Sequence, residues 1–326
     1  MLRIHFTDAD LARTRMAANP DPLWEIGLSL HRLQTRKGRW AYADWYRSTR
    51  AELSEKGLEW PLRELLLPLF PRAAYYPDFL NPAQSSDSLT AGLAAIVDTP
   101  PGRVDHDIRR FTATGRAPSW APRLADRELR KDLACCLKRY YDVAVAPCHD
   151  RTQARIDAER SVRGRTVLHG GVEQMLAELG PQMRWQPPVL QVHYPVAERD
   201  LRLAGRGLVL VPSYFCWGGP ISLADPLLPP VLVYPLCPEV PGPGPAAASL
   251  ATLLGRTRAQ VLRATSAGAT TGELARIAGV SASAASQHTT VLRDAGLIIS
   301  ARHAATVLHT LTPLGASLLE QAGHRD

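Results

Sequence analysis

The chain has no apolar run near the roughly 18 residues that a membrane-spanning helix needs, and Met1-Leu-Arg-Ile-His5 lacks the apolar core of a signal peptide. A transmembrane helix is excluded and a cytoplasmic protein, nucleoid-associated when on DNA, is expected. Cysteine is sparse: Cys135, Cys136, Cys148, Cys216 and Cys237 are odd in number and scattered over 326 residues, which excludes a disulfide framework. No phosphate loop or dinucleotide fingerprint occurs, since Gly205-Arg-Gly207 lacks both the third glycine and the helix that should follow. The nucleophile-like clusters, Cys148-His149 and Ser213-Tyr-Phe-Cys216, are neighbours in sequence, and adjacency is not a triad. Neither an enzyme nor a bound cofactor is expected. No internal repeat is visible.

Length suggests about two domains, and 45% apolar residues supply ample core. The net charge of +7 and pI near 9.4 suit a polyanionic partner. From Leu250 onward seven Arg face four acidic residues, an excess of +3 in under a quarter of the chain. That excess is modest, so the motif there carries the argument.

The motif runs from Thr270 to Leu311. Thr270 followed by Glu273 is a capping box, Leu274, Ile277 and Ala278 form one apolar stripe, and Gly279 stops the helix. Ser281 is an N-cap for a second helix, in which Ala285, Thr289 or His288, Leu292 and Ala295 share a face until Gly296. Two short helices joined by Gly-Val-Ser form a helix-turn-helix. The outward side of the second helix carries Ser283, Ser286, Gln287 and Thr290, short or amide groups suited to base edges and phosphates. Beyond it, Leu297 to Ser300 and Thr306 to Leu311 can pair as a wing with Arg302 and His303 near a tip that has no glycine.

Residues from about Leu250 to Leu319 resemble the winged-helix domain of ArsR-type bacterial transcriptional regulators. The pieces that carry the resemblance are Leu253-Leu-Gly-Arg-Thr-Arg258, Gly272-Glu-Leu-Ala275, Ser286-Gln-His288, Leu292-Arg-Asp-Ala-Gly-Leu297 and Leu311-Thr-Pro-Leu-Gly315. The resemblance implies DNA binding and aligns His288 with the family's Ser-x-His position. Metalloid-sensing members carry Cys-x-Cys in the first of the two helices, whereas Gly272 to Ala278 has no thiol. The C-terminal helix offers only Glu320, His324 and Asp326 for the other zinc position, and Cys135, Cys136, Cys148 and His149 fit no zinc spacing, so no metal is expected.

Ahead of this domain the first 180 residues read as mainly helical. Helices are predicted over Asp8 to Met16, behind Pro22, over Leu89 to Val97, Arg103 to Thr112, Arg123 to Tyr141, Asp150 to Arg163 and Val167 to Glu178. Trp40, Tyr42, Trp45 and Tyr46 interleave with Arg39, Arg47 and Arg50; an aromatic face with solvated Arg heads is favoured there over a nucleic-acid surface. From Gln182 to Tyr234 short β-prone runs between Pro and Gly breaks predict a small antiparallel sheet. Tyr214 to Pro220 either lines an effector pocket on that sheet's edge or is core plus a turn, and core is favoured. Pro238 to Ala248, rich in Pro and Gly, reads as a linker, and Leu250, Leu253, Leu254, Val261 and Leu262 as the stripe of the next helix. Leu2 to Leu11, Pro20 to Glu25, Trp185 to Leu190, Gly205 to Ser213 and Asp225 to Tyr234 resemble a long N-terminal extension in a subgroup of ArsR-like regulators from high-GC bacteria.

The expected architecture is α+β: a mainly helical domain with a small antiparallel sheet over 1–237, a linker over 238–248, and a winged helix-turn-helix over 249–326. The expected function is sequence-specific regulation of transcription, as repressor rather than activator, with the first domain dimerising or sensing a small-molecule or peptide effector. The partners are double-stranded DNA and a second copy joined through Leu253, Leu254 and Val261 and through Leu314, Leu318 and Leu319. DNA contacts are assigned to Ser281, Ser283, Ser286, Gln287, His288, Thr290 and Arg302. The alternatives are a winged helix that contacts proteins, and a ligand-binding or catalytic first domain that it reports on.

Overall fold

A computed structural model describes residues 1–35, 39–72, 75–194, 198–236, 245–303 and 306–323. The fold is α+β and divides into two compact units: Met1–Ile156 with Val162–Leu236, and Asp157–Ser161 with Cys237–Asp326.

In the first unit, strand β1 (Leu2–His5) leads into helix α1 (Asp8–Arg13) and strand β2 (Arg15–Met16). Helix α2 (Pro22–Leu33) starts on Asp21, whose carboxylate accepts from Leu23 N and Trp24 N. Helices α3 (Ala43–Glu55), α4 (Leu89–Asp98), α5 (Pro101–Ala113), α6 (Arg127–Ala144) and α7 (His149–Ala177) follow. Two helices were predicted where α7 forms one run, interrupted only at Gly171, whose φ of 72° departs from helical geometry.

The sheet differs from expectation. Two four-stranded mixed sheets form in place of one antiparallel sheet. In the first, β3 (Met183–Gln186), β4 (Val189–Val192), β1 and β5 (Arg199–Arg202) lie in that order, with β1 parallel to β5. In the second, β2, β6 (Val209–Ser213), β8 (Val231–Pro235) and β7 (Ile221–Ser222) lie in that order, with β2–β6 and β6–β8 parallel. The end of the predicted first helix is therefore strand, because Arg15 N and Ala17 N donate to the carbonyls of Leu208 and Leu210. Periodicity of two encodes which side chains face inward but not the direction of the partner strand.

Tyr214, Phe215 and Cys216 are at most 3% exposed and belong to the main apolar core with Tyr42, Trp45 and Leu137, so this stretch is core rather than pocket lining. Trp45 and Tyr42 are buried in the same core, while Arg50 lies over the Tyr46 ring at 5.8 Å and Arg47 pairs with Asp44. Residues 36–38, which follow Thr35, lie outside the described residues.

In the second unit, helix α8 (Pro245–Leu254) begins inside the stretch predicted to be linker; the rest of that stretch, 238–244, lies outside the described residues, as does Cys237. The single helix predicted through Leu262 is two, because Gly255, at φ 82°, separates α8 from α9 (Arg256–Ala264). Leu250, Val261, Leu262, Leu274, Ala285, Leu292, Leu297 and Ile298 close the core. Val261, expected on a dimer face, is fully buried, whereas Leu253 is 69% exposed and Leu314 60% exposed.

Candidate nucleic-acid interface

Helix α10 (Thr271–Ala278) and helix α11 (Ala282–Asp294) are built by signals within a few residues of their ends. Thr270 Oγ1 accepts from Glu273 N, and Thr270 N donates to Glu273 Oε2 at 3.0 Å, completing the capping box. Gly279 is left-handed at φ 65°, and Val280 N donates to Ala275 O at 2.9 Å, which closes the helix. Ser281 Oγ then accepts from Ala284 N at 3.2 Å. Gly296, at φ 70°, repeats the same stop, with Leu297 N donating to Leu292 O at 2.9 Å.

Ala285, Thr289 and Leu292 of α11 are buried at 0, 4 and 1% exposure and fix how the helix rolls on its core. Between Thr289 and His288, the inward residue is Thr289, whose hydroxyl donates to Ser286 O. His288 is half-buried at the border of the two faces, and Ala295 is exposed just beyond the helix rather than part of the stripe.

Ser283, Ser286, Gln287 and Thr290 are all exposed, at spacings of three and four, on the side away from the core. Among the described residues none of these four side chains has a hydrogen-bond or ion-pair partner. Their donors and acceptors are therefore available to a ligand. The Ser281 hydroxyl is engaged as cap, and the N–H groups of Ala282 and Ser283 are left pointing out of the helix start, a position that favours a phosphate oxygen. Val291 also lies on this outer side, 47% exposed, four residues from Gln287. Sequence reasoning missed it, because a valine in a helix reads as core; only its fall off the 285–289–292 stripe marks it.

The wing is a three-stranded antiparallel sheet. Strand β10 (Ile298–His303) pairs with β11 (Thr306–Leu311), from Ile298 opposite Leu311 to His303 opposite Thr306, and β11 pairs with β9 (Ala269–Thr270). Arg302 is exposed one position before the end of β10, without a partner among the described residues; the tip at 304–305 lies outside them.

One buried polar group ties wing to helix-turn-helix. His309 is 4% exposed, its Nε2 lies 2.9 Å from Thr271 Oγ1 on α10, and its Nδ1 lies 2.8 Å from Ser300 Oγ on β10. Burial, with the positive charge of Arg293, lowers its pKa from the ordinary histidine value. Nothing local in the sequence marks His309, since its partners lie 38 and 9 residues away.

Elsewhere, Cys135 is exposed, Cys136 half-buried, and Cys148 and Cys216 buried. Among the described residues no three His, Cys, Asp or Glu side chains cluster within reach of one metal ion. His324 and Asp326 lie outside the described residues, as does the side chain of Glu320. Among the described residues no helix is long and apolar enough to cross a membrane.

A family profile described as a helix-turn-helix domain matches residues 253–301, which spans the end of α8 through β10. No curated protein and no solved structure matches the chain. The match covers well under half of the chain and speaks for this region alone. From α8 to the wing, the chain carries a helix-turn-helix domain of DNA-binding type.

Proposed function

We propose that this protein is a sequence-specific transcriptional regulator of the ArsR-like winged-helix type, acting as a repressor in the cytoplasm and without catalytic activity of its own. The observation that carries the reading is the partner-free polar face of α11: exposed Ser283, Ser286, Gln287 and Thr290 on a helix pinned to its core by Ala285, Thr289 and Leu292. Gln287 is placed to pair with an adenine edge through its amide, and Val291 to pack on a thymine methyl. Arg302 and the N–H groups behind Ser281 are placed to hold phosphates and fix register. A homodimer would read a pseudo-palindromic site with half-sites about one helical turn apart. The exposed Leu253 and Leu314 support such pairing, and a monodisperse monomer in sizing with light scattering would count against it.

The test is a titration against DNA from upstream of the protein's own gene, with excess nonspecific competitor, at two salt concentrations. Binding that survives competitor and weakens in Gln287→Ala supports the reading. Binding that competitor abolishes leaves only the attraction of a basic chain for a polyanion.

A further inference from the structure

The first unit contains a cleft of about 290 Å³ where the N-terminal turns of α2, α4 and α7 meet the C-terminal turn of α6. None of Tyr214 to Pro220 lines it. At the lower edge of the roughly 300–1,000 Å³ usual for ligand pockets, it suits a compact molecule.

Thr152 lines this cleft from the first turn of α7, is only 4% exposed, and its hydroxyl has no hydrogen-bond partner among the described residues. That hydroxyl keeps contact with solvent, and a bound polar group can take the place of the water it meets. Around it the cleft presents further groups with unused capacity. Ser88 Oγ accepts from Ala91 N as the cap of α4, which leaves its O–H free to donate. The half-buried Tyr141 hydroxyl and the Asn19 amide have no partners among the described residues.

The charge of the lining narrows the ligand. No Lys or Arg lines the cleft; its one imidazole, His149, is exposed at the start of α7, and its two carboxylates, Glu25 and Asp87, would repel an anion. A cation gains little either, because both Glu25 oxygens already accept backbone N–H groups, from Tyr214 at 2.8 Å and Phe215 at 3.1 Å, and Asp87 is exposed at the rim. What remains is a mixture of hydroxyl, amide, imidazole and carboxylate groups that can donate to and accept from a ligand that does both.

We propose that this cleft binds a compact, uncharged, polyhydroxylated molecule of about monosaccharide size, with Thr152, Ser88 and Tyr141 bonding its hydroxyls. The role of such a ligand as effector rests on the regulator reading; its binding does not, and it is measured without DNA. Failure here leaves the DNA reading standing, and failure of DNA binding leaves the cleft standing.

The experiment is calorimetric titration and thermal unfolding of the full chain with glucose, ribose and myo-inositol, and with inorganic phosphate and putrescine as charged probes. At least one neutral probe is expected to bind saturably with a Kd of about 1 mM or tighter, and to raise the unfolding temperature. Thr152→Val, which keeps the side-chain shape, should weaken that binding by up to about tenfold while the unliganded unfolding temperature stays near wild type. Leu89→Trp, which fills the cleft, should abolish it and decides the matter if the valine variant folds poorly. The proposal is overturned if none of the three neutral probes binds, if phosphate or putrescine binds in a manner that Leu89→Trp abolishes, or if neutral binding is unchanged in both variants.

Discussion

The two units satisfy their helix-end and buried polar groups over different distances along the chain. In the second, most partners are neighbours: Thr270 with Glu273, Ser281 with Ala284, Gly315 N with Thr312 Oγ1. In the first, several of the corresponding bonds close loops of more than a hundred residues. Glu25 accepts from Tyr214 N and Phe215 N, Asp78 accepts from Ala224 N and Asp225 N, and Asp10 accepts from Gly207 N at 2.9 Å. Burial pushes the Glu25 carboxyl up to about 7 and that of Asp78 up to about 6, although backbone amides pull both down. The first unit is thus fastened in part by buried carboxylates whose backbone partners only the finished fold brings to them. The second is a set of self-capped pieces.

This difference can be broken first at Arg130, which is 2% exposed and donates to the carbonyls of Val97, Thr99, Leu124 and Ala125 at 2.8 to 3.1 Å. Arg130→Met keeps much of the volume but leaves those carbonyls without their donor. The first unit should lose about 3–5 kcal/mol. Differential scanning calorimetry should show one transition moving down while the other stays; both moving together would mean that the units do not unfold separately.

His309 is the exception within the second unit, a long-range polar tie among local ones. Its folded-state pKa lies below the ordinary value, so the unfolded chain takes up its proton first as pH falls. Stability of the winged unit should therefore be full above about pH 7 and decline as pH falls through about 6.5. His309→Leu should flatten that decline at a cost of about 1–3 kcal/mol, because the Thr271 and Ser300 hydroxyls lose their partner. Thermal unfolding across pH measures both effects, and an equal slope in the variant would remove His309 as the source.

The smallest effect sharpens the same contrast. Ser281→Ala removes one local cap and should cost the second unit about 1 kcal/mol, with no shift in the first unit's transition.

What was legible in the sequence follows the same line. The caps at Thr270 and Ser281, the stops at Gly279 and Gly296 and the wing strands lie within a few residues of the signals that make them, and they were predicted. The missed features are those whose partner is distant or whose residue type misleads. β1 and β2 pair in parallel with strands nearly two hundred residues away, so the local pattern held no sign of two mixed sheets. The helix break at Gly255 was hidden within a continuous leucine stripe, and Pro245 to Ala248 read as linker because proline starts a helix as readily as it ends one. Of the interface, the polar face of α11 was readable from spacing. Val291 and His309 were not, because their significance depends on exposure and on partners across the domain.

In the proposed function, α11 reads base edges through Gln287 and its neighbours. The direct measurement is selection of binding sites from a random duplex pool by wild type, Gln287→Ala and Arg302→Ala. Wild type should enrich two half-sites. Gln287→Ala should lose preference at one base position in each, worth about 1–3 kcal/mol, while Arg302→Ala should keep the preferences, weaken all sequences alike and reduce the salt slope by about 1. No enrichment by wild type, or identical preferences in Gln287→Ala, would contradict the account.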